Sequence, residues 1–269
     1  TDASVTRQYL ENVSHSLNGK PLDYLIINHM EPDHCANIAE LLLRYPHLTL
    51  VGNAKTFAFV SQFYDLDLTG RTLTVKEGDT LCLGSHTLHF FLAPMVHWPE
   101  VMVTYEETEQ ILFSADAFGS FGALNGHLFA DEVNFDRDWL DDARRYYCNI
   151  VGKYGNPVQR ALQKLSALEI NTICSTHGPV WRKYAHKAIE IYDRLSRYEG
   201  EDGVVVIYGS MYGNTEQMAE AIASSLSANG VKNIVLHNVS KSPASYVLKD
   251  VFKYKGVIIG SPTYSNSLF

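Results

Sequence analysis

The sequence predicts an α/β chain in two parts: a strand-rich body with helices on its outside over residues 1–199, then the start of a doubly wound parallel sheet over 203–269. Three observations carry this. Short apolar and alternating runs dominate up to about Tyr198, with amphipathic helical runs between and after them. A polar stretch, Glu199-Gly200-Glu201-Asp202-Gly203, marks a change of pattern and reads as a linker. Beyond it, GVVVIYGS, a helical run from Thr215 to about Ala228, NIVLHNV, a second helical run near Ala244 to Val251 and GVIIGSPTY read as βαβαβ.

The elements follow in order. LDYLIIN is apolar and bounded, hence a buried strand, and CANIAELLLRY has the apolar spacing of a helix that stops at Pro46. LTLVG, RTLTV, HTLHFFL, VMVTYE and QILFS read as further strands, several of them alternating, with EGDT as a turn. DWLDDARRYYCNIV, PVQRALQKLSAL with Pro157 in its first turn, and RKYAHKAIEIYDRLSRY read as helices. Layering these pieces gives an α/β or α+β sandwich for the first part.

Composition narrows the classes of function. At 269 residues and 46% hydrophobic, the chain has material for about two packed domains. The net charge of −8 and the lack of any Lys/Arg run argue against a nucleic-acid backbone or an anionic membrane as partner. Apolar stretches such as residues 25–27 and 204–208 fall far short of the roughly 20 residues of a membrane span, and TDASVTRQYL has no signal-peptide pattern. Cys35, Cys82, Cys148 and Cys174 are scattered with no CxxC pair, so free thiols in a reducing cytoplasm are expected.

Chemistry concentrates in two places. In NHMEPDHCANIAELL, which begins at Asn28, one short turn between a strand and a helix holds His29, Glu31, Asp33 and His34. His97 in APMVHWPE, Asp116 in LFSADAFG and His177 in CSTHGP follow other strand-like runs. Strand ends converging on one edge are where α/β folds build sites. Seven imidazole or carboxylate groups without a thiolate suit two ions of the iron, manganese or zinc kind. Cys35, small and at a helix start, reads as a packed thiol. The second place is YGSMYGNTEQMAEAIA, a strand, a glycine-containing loop and a helix, whose N–H and hydroxyl groups suit a phosphate. SPTYSNS, residues 261–267, follows the last strand, where a ligand-contacting loop is expected.

The succession HMEPDH, HWPE, SADAFG and THGP, with 62, 18 and 60 residues between His34, His97, Asp116 and His177, resembles the flavodiiron proteins over nearly the whole chain. The resemblance implies a metallo-β-lactamase-like αββα sandwich with a diiron site, followed by a flavodoxin-like FMN domain. It implies that His29, Glu31 and His97 hold one iron, that Asp33, His34 and His177 hold the other, and that Asp116 bridges them. Ser210, Met211, Tyr212, Gly213, Asn214 and Thr215 would form the FMN-phosphate loop, and Pro262, Thr263, Tyr264 and Asn266 would line the isoalloxazine. Tyr146 and Tyr147 in RRYYCN resemble the family's tyrosine near the substrate pocket, with Tyr147 assigned to it, and Trp98 and Pro99 after His97 would shield the metal from bulk water.

The same resemblance implies a cytoplasmic oxidoreductase reducing dioxygen to water or nitric oxide to nitrous oxide, with a rubredoxin-like electron donor and a head-to-tail homodimer. A flavodoxin-like sheet has five strands and this chain shows three, so a truncation at both ends and an incomplete flavin site are expected. The alternative is a dinuclear zinc hydrolase of the same superfold, which activates a bridging water. Such hydrolases typically carry His where this chain has Glu31, and a hard anionic oxygen there suits a redox-active iron pair better.

Overall fold

The computed structural model describes residues 1–268; Phe269, the last residue of the expected second unit, lies outside the described residues. Two sheets stack in the first unit. Strands β1 (Tyr24–Ile26), β2 (Thr49–Gly52) and β3 (Thr72–Thr74) pair in parallel in that order. Strands β4 (Thr80–Cys82), β5 (Thr87–Leu92), β6 (Met102–Glu106), β7 (Ile111–Phe113) and β8 (Thr172–Cys174) form the second sheet, antiparallel except for the parallel β7–β8 pair. The alternation in HTLHFFL turns Leu88 and Phe90 inward, where they meet Val51, Val75 and Met102 between the sheets.

Helices cover both outer faces. On one side α1 (Thr6–Leu17), α2 (Pro32–Cys35), α3 (Ile38–Arg44) and α4 (Ala54–Phe63) enclose a core of Ile38, Leu41, Leu42, Leu48, Leu50 and Val60. On the other, α5 (Phe135–Asp138), α6 (Leu140–Ile150), α7 (Gly155–Leu165) and α8 (Ala185–Ser196) bury Tyr147, Val151, Val158 and Leu195 with Val103, Leu112 and Ile173 of the large sheet. This is the αββα sandwich.

Three local departures have physical causes. CANIAELLLRY is broken at Asn37 (φ −100°, ψ 9°), whose side-chain amide donates to the Thr1 carbonyl. Helices α1 and α4 are additional to the expected elements, and α4 is fixed by Asn53, whose Oδ1 accepts the N–H groups of Lys55 and Thr56. DWLDDARRYYCNIV is interrupted at Trp139, which is buried against Gly122.

The second unit comprises β9 (Glu201–Tyr208), α9 (Asn214–Ala228), β10 (Ile234–Asn238), α10 (Ala244–Lys253) and β11 (Tyr254–Gly260), a parallel sheet in the order 10-9-11. A hairpin of β12 (Thr263–Tyr264) and β13 (Ser267–Leu268) follows. The expected linker at 199–203 is corrected: its last three residues open β9, and a Cβ on Gly203 would lie 2.4 Å from the Tyr254 ring. The polar composition reflects a strand end at the surface, and the close packing needs glycine. The two units dock through α6 and α10, with Arg144 on Glu201 (2.5 Å), Lys249 and Lys253 on Asp141 (3.3 Å each) and Phe252 against Gly152.

Candidate metal centre

Strand direction gathers the seven residues. β5 and β7 are both antiparallel to β6, and β8 is parallel to β7, so β5, β7 and β8 run the same way and end at one edge. Their following loops carry His97, Asp116 and His177. The turn after β1 of the facing sheet supplies His29, Glu31, Asp33 and His34. Asn28 ties the two sheets together there: its carbonyl accepts from Met102 N–H (3.0 Å), its side-chain amide donates to the Phe113 carbonyl (3.2 Å), and its Oδ1 accepts from the Thr104 hydroxyl (2.7 Å).

The ligand atoms fall into two sets. His29, Glu31, His97 and Asp116 converge on one point, and Asp33, His34 and His177 on another, with the atoms of each set within 4.8 Å of one another. In the first set His97 Nε2 lies 3.1 Å from Glu31 Oε2 and 3.3 Å from His29 Nε2. Asp116 divides its oxygens. Oδ2 is 2.9 Å from His97 and 3.5 Å from His29, while Oδ1 is 2.9 Å from His34 and 3.4 Å from His177.

The residues fit a metal pair. Donors bound at about 2.1 Å around one ion lie roughly 3 to 3.5 Å apart, a range that holds His97 with Glu31 and His29 (3.1 and 3.3 Å) in the first set and Asp33 with His34 and His177 (3.4 Å each) in the second. Asp33 Oδ1 is buried without a hydrogen-bond partner, a costly arrangement unless a cation takes its lone pairs. Glu100, 1% exposed, accepts from His29 Nδ1 (2.6 Å) and from Met30 N–H (2.9 Å), which leaves Nε2 of His29 to face the site. Thr176 donates to Asp116 Oδ1 (2.6 Å). The Glu100 carbonyl in turn accepts from Asn53 Nδ2 (2.6 Å). Glu100, Thr176, Asn53 and Asn28 were not singled out from sequence. Glu100 and Thr176 lie inside the motifs HWPE and THGP, whereas nothing local ties Asn53 or Asn28 to the site.

Electrostatics follow the geometry. Burial works against ionisation of Asp116, but hydrogen bonds from His177, His34 and His97 outweigh it and hold the carboxyl far below its usual range. Burial also disfavours a charged His97, yet the Asp116 and Glu31 carboxylates raise it overall, and the Asp116 hydrogen bond raises His177. Trp98 stands edge-on to His29 and His97, 5.3 and 6.2 Å between ring centres, backed by Phe59 at 6.1 Å. The Cys35 thiol is buried, donates to the Met30 carbonyl and is pushed up by burial, so it is a packed thiol. A cavity of about 490 Å³ opens beside Asp33, His34 and His177. A larger groove, about 860 Å³ between α7 and α8, holds none of the seven.

The assignment of Tyr147 to the pocket is corrected. Successive helical residues point about 100° apart. Tyr147 therefore turns into the core, fully buried and edge-on to Tyr192, while Tyr146 lies 5.5 Å from His177, ring centre to ring centre. Burial, with Asp116 nearby, raises the Tyr146 hydroxyl well above its ordinary range.

The two loops predicted for the flavin meet at the carboxyl edge of the second sheet. Gly209 N–H donates to the Gly260 carbonyl at 3.0 Å. The edge lies beside β9, where the strand order reverses and ligands of such sheets bind. Ser210 Oγ accepts from the N–H groups of Gly213 (3.1 Å) and Glu216 (3.4 Å), shaping the loop that enters α9 with Asn214 and Thr215. Gly213 has φ +86°, a conformation glycine adopts freely. Met211, Tyr212 and Tyr264 are exposed around this edge; Thr263 and Tyr264 form β12, Pro262 precedes it, and Asn266 sits in the two-residue hairpin turn at φ +61°.

Residues 2–178 match the ODP family beta lactamase and residues 206–269 match flavodoxin. The chain is 31% identical over 269 residues to the anaerobic nitric oxide reductase flavorubredoxin of Escherichia coli O1:K1 / APEC, covering 98% of this chain and 56% of that protein. Among solved structures it resembles the rubredoxin oxygen:oxidoreductase from Desulfovibrio gigas (TM-score 0.94, 28% identity, 100% of this chain and 67% of that one). It also resembles the flavodiiron protein from Giardia intestinalis (TM-score 0.93, 30% identity, 100% and 65%). The chain spans less than two thirds of the length of the curated relatives it matches. A β-lactamase-like domain of the ODP family with this donor arrangement, running directly into a flavodoxin sheet, makes the chain a member of the flavodiiron proteins.

Proposed function

We propose that this chain carries the diiron centre and FMN-binding loops of a cytoplasmic oxidoreductase that reduces dioxygen to water, nitric oxide to nitrous oxide, or both. His29, Glu31 and His97 would hold one iron, Asp33, His34 and His177 the other, with Asp116 bridging. The loops at Ser210, Met211, Tyr212, Gly213, Asn214 and Thr215 and at Pro262, Thr263, Tyr264 and Asn266 would hold FMN. Division of the Asp116 oxygens between two ligand sets carries this reading. The names of the similar proteins, an oxygen oxidoreductase and a nitric oxide reductase, agree with it. The two functional units divide near Gly200, and a rubredoxin-like donor and a head-to-tail dimer complete the proposal.

An iron pair held by these residues would supply electrons to a small substrate and offset the charge that develops on it. The chain's own groups do the rest. Three carboxylates, Glu31, Asp33 and Asp116, offset the charge of two divalent ions. Glu100 orients His29, Thr176 fixes one Asp116 oxygen, and Trp98 with Phe59 keeps bulk water from the His29 side. Tyr146, held protonated, offers a hydroxyl on a ring that faces His177.

The test is elemental analysis of the protein purified without oxygen, followed by gas consumption with a reduced donor. Near two irons per chain together with uptake of either gas is expected. Two zincs with turnover of an ester or lactam, and no gas uptake, would establish the hydrolase instead.

A further inference from the structure

The two ends of the metal centre are supported differently. His29 is oriented by a hydrogen bond to Glu100, the usual way of fixing a ligating imidazole. His177 has no acceptor on its second ring nitrogen among the described residues. Its ring instead rests against the rings of Tyr146 (5.5 Å) and His34 (5.0 Å). Tyr146 is in turn wedged tightly: a Cβ on Gly119, three residues after Asp116, would lie 3.0 Å from its Cε1, and Phe121 stands edge-on to it at 5.1 Å.

Behind Phe121 lies a side chain shared between the two units. The guanidinium of Arg145, next to Tyr146 on α6, is sandwiched between Phe121 (4.5 Å) and Tyr246 of α10 (4.6 Å). Asp142 holds its Nε at 2.9 Å, and only 19% of its side chain is exposed. A planar guanidinium between two rings is a rigid spacer, and lysine cannot replace it in that geometry. We infer that Arg145 is a positioning residue through which Tyr246, on the flavodoxin-like unit, fixes Tyr146 and thereby His177 in the metal centre.

This rests on the metal-centre reading above, and the experiment separates the two. The metal-stripped chain is titrated with Co²⁺ alone, following its visible absorption, for the wild type, Arg145→Ala, Tyr246→Leu and Tyr246→Phe, with His177→Ala marking the band of that half-site. Loss of an outer support costs a metal site about 10-fold or more in affinity. Arg145→Ala and Tyr246→Leu are therefore expected to weaken the His177 half-site by that factor and shift its band, leaving the other half-site unchanged. Tyr246→Phe keeps the stack and should match the wild type. Tyr246 is 42% exposed, so its variants fold even if Arg145→Ala does not. Unaltered affinities in Tyr246→Leu, or equal weakening of both half-sites, overturn the coupling alone. A wild-type chain that takes up no cobalt overturns the metal centre and the coupling together.

Discussion

Glu100 touches neither metal position, yet it sets the direction in which His29 offers its lone pair. Glu100→Gln keeps the volume and weakens the acceptor; equilibrium dialysis should show the affinity of the His29 half-site falling 10- to 100-fold. The imidazoles also give the centre a definite pH response. His97 and His177 are raised in the metal-free fold, so protons compete with metal from above the ordinary imidazole value. Metal retention should therefore fall as pH drops through those raised values. The stability of the metal-free chain should move oppositely: the contribution of these two rings is complete below the ordinary value and is lost as pH rises through the raised ones. Thermal melts with and without chelator across pH 5 to 8 would check both signs, with pH 5 to 8 being roughly the range in which imidazoles titrate. At this scale the convergence of the seven candidate residues was legible, because each follows a strand in a distinctive motif. It was less legible for Tyr146 against Tyr147, since adjacent residues on a helix share every local signal and only packing decides which one faces the site.

Elements explain why the supporting residues escaped notice. Asn53 caps α4 with its Oδ1 and, with the other end of the same amide, holds the Glu100 carbonyl. A cap is a local signal, but a carbonyl 47 positions away is not. Asn53→Ala should cost about 1 to 2 kcal/mol through the lost cap, lowering the melting temperature by roughly 2 to 8 °C, and should in addition loosen the His29 half-site. A change at a helix start far from the centre, such as Glu216→Ala at the partly buried start of α9, would not touch metal affinity. The strands and the βαβαβ order were readable from periodicity. The breaks at Asn37 and Trp139 were not, because each follows from a contact with a distant residue: the Thr1 carbonyl for one and Gly122 for the other. Acid stability has an element-scale origin too. Glu106, at the end of β6, is disfavoured by burial but accepts the N–H groups of Glu109 and Thr108 and bonds His86, which brings it to about 2. Its contribution is present above the ordinary carboxylate value and is lost as pH falls toward 2, so Glu106→Gln should flatten the acid limb of a stability curve over that range.

At the scale of the whole molecule, the two units meet through a mixture of charge and packing. Asp141 with Lys249 and Lys253 is a half-exposed ion-pair cluster, a kind worth under about 1 kcal/mol. Phe252 fills the space over Gly152, where a Cβ would lie 2.8 Å from its ring. Phe252→Ala should accordingly destabilise the docked state by on the order of 2 kcal/mol, clearly more than Asp141→Asn, and limited proteolysis near Gly200 should rank the two variants that way. The division into two units was legible from composition, but its mechanical character was not: the polar run promised slack, and Gly203 is packed against Tyr254 instead.

That missing slack has a kinetic consequence. Strand β9 leaves the first unit at Glu201 and reaches the loop at Gly209 eight residues on, about 25 Å away. A tethered domain can search space on behalf of its neighbour, at an effective concentration set by tether length. Here there is no tether, so that concentration is fixed once by the fold and cannot be raised by diffusion within one molecule. On the function proposed above, electrons leaving the flavin edge would have to cross the distance the fold dictates or pass to another chain. In the second case turnover per chain declines on dilution; in the first it is independent of protein concentration. A dilution series of gas-uptake rates would tell which route this protein uses.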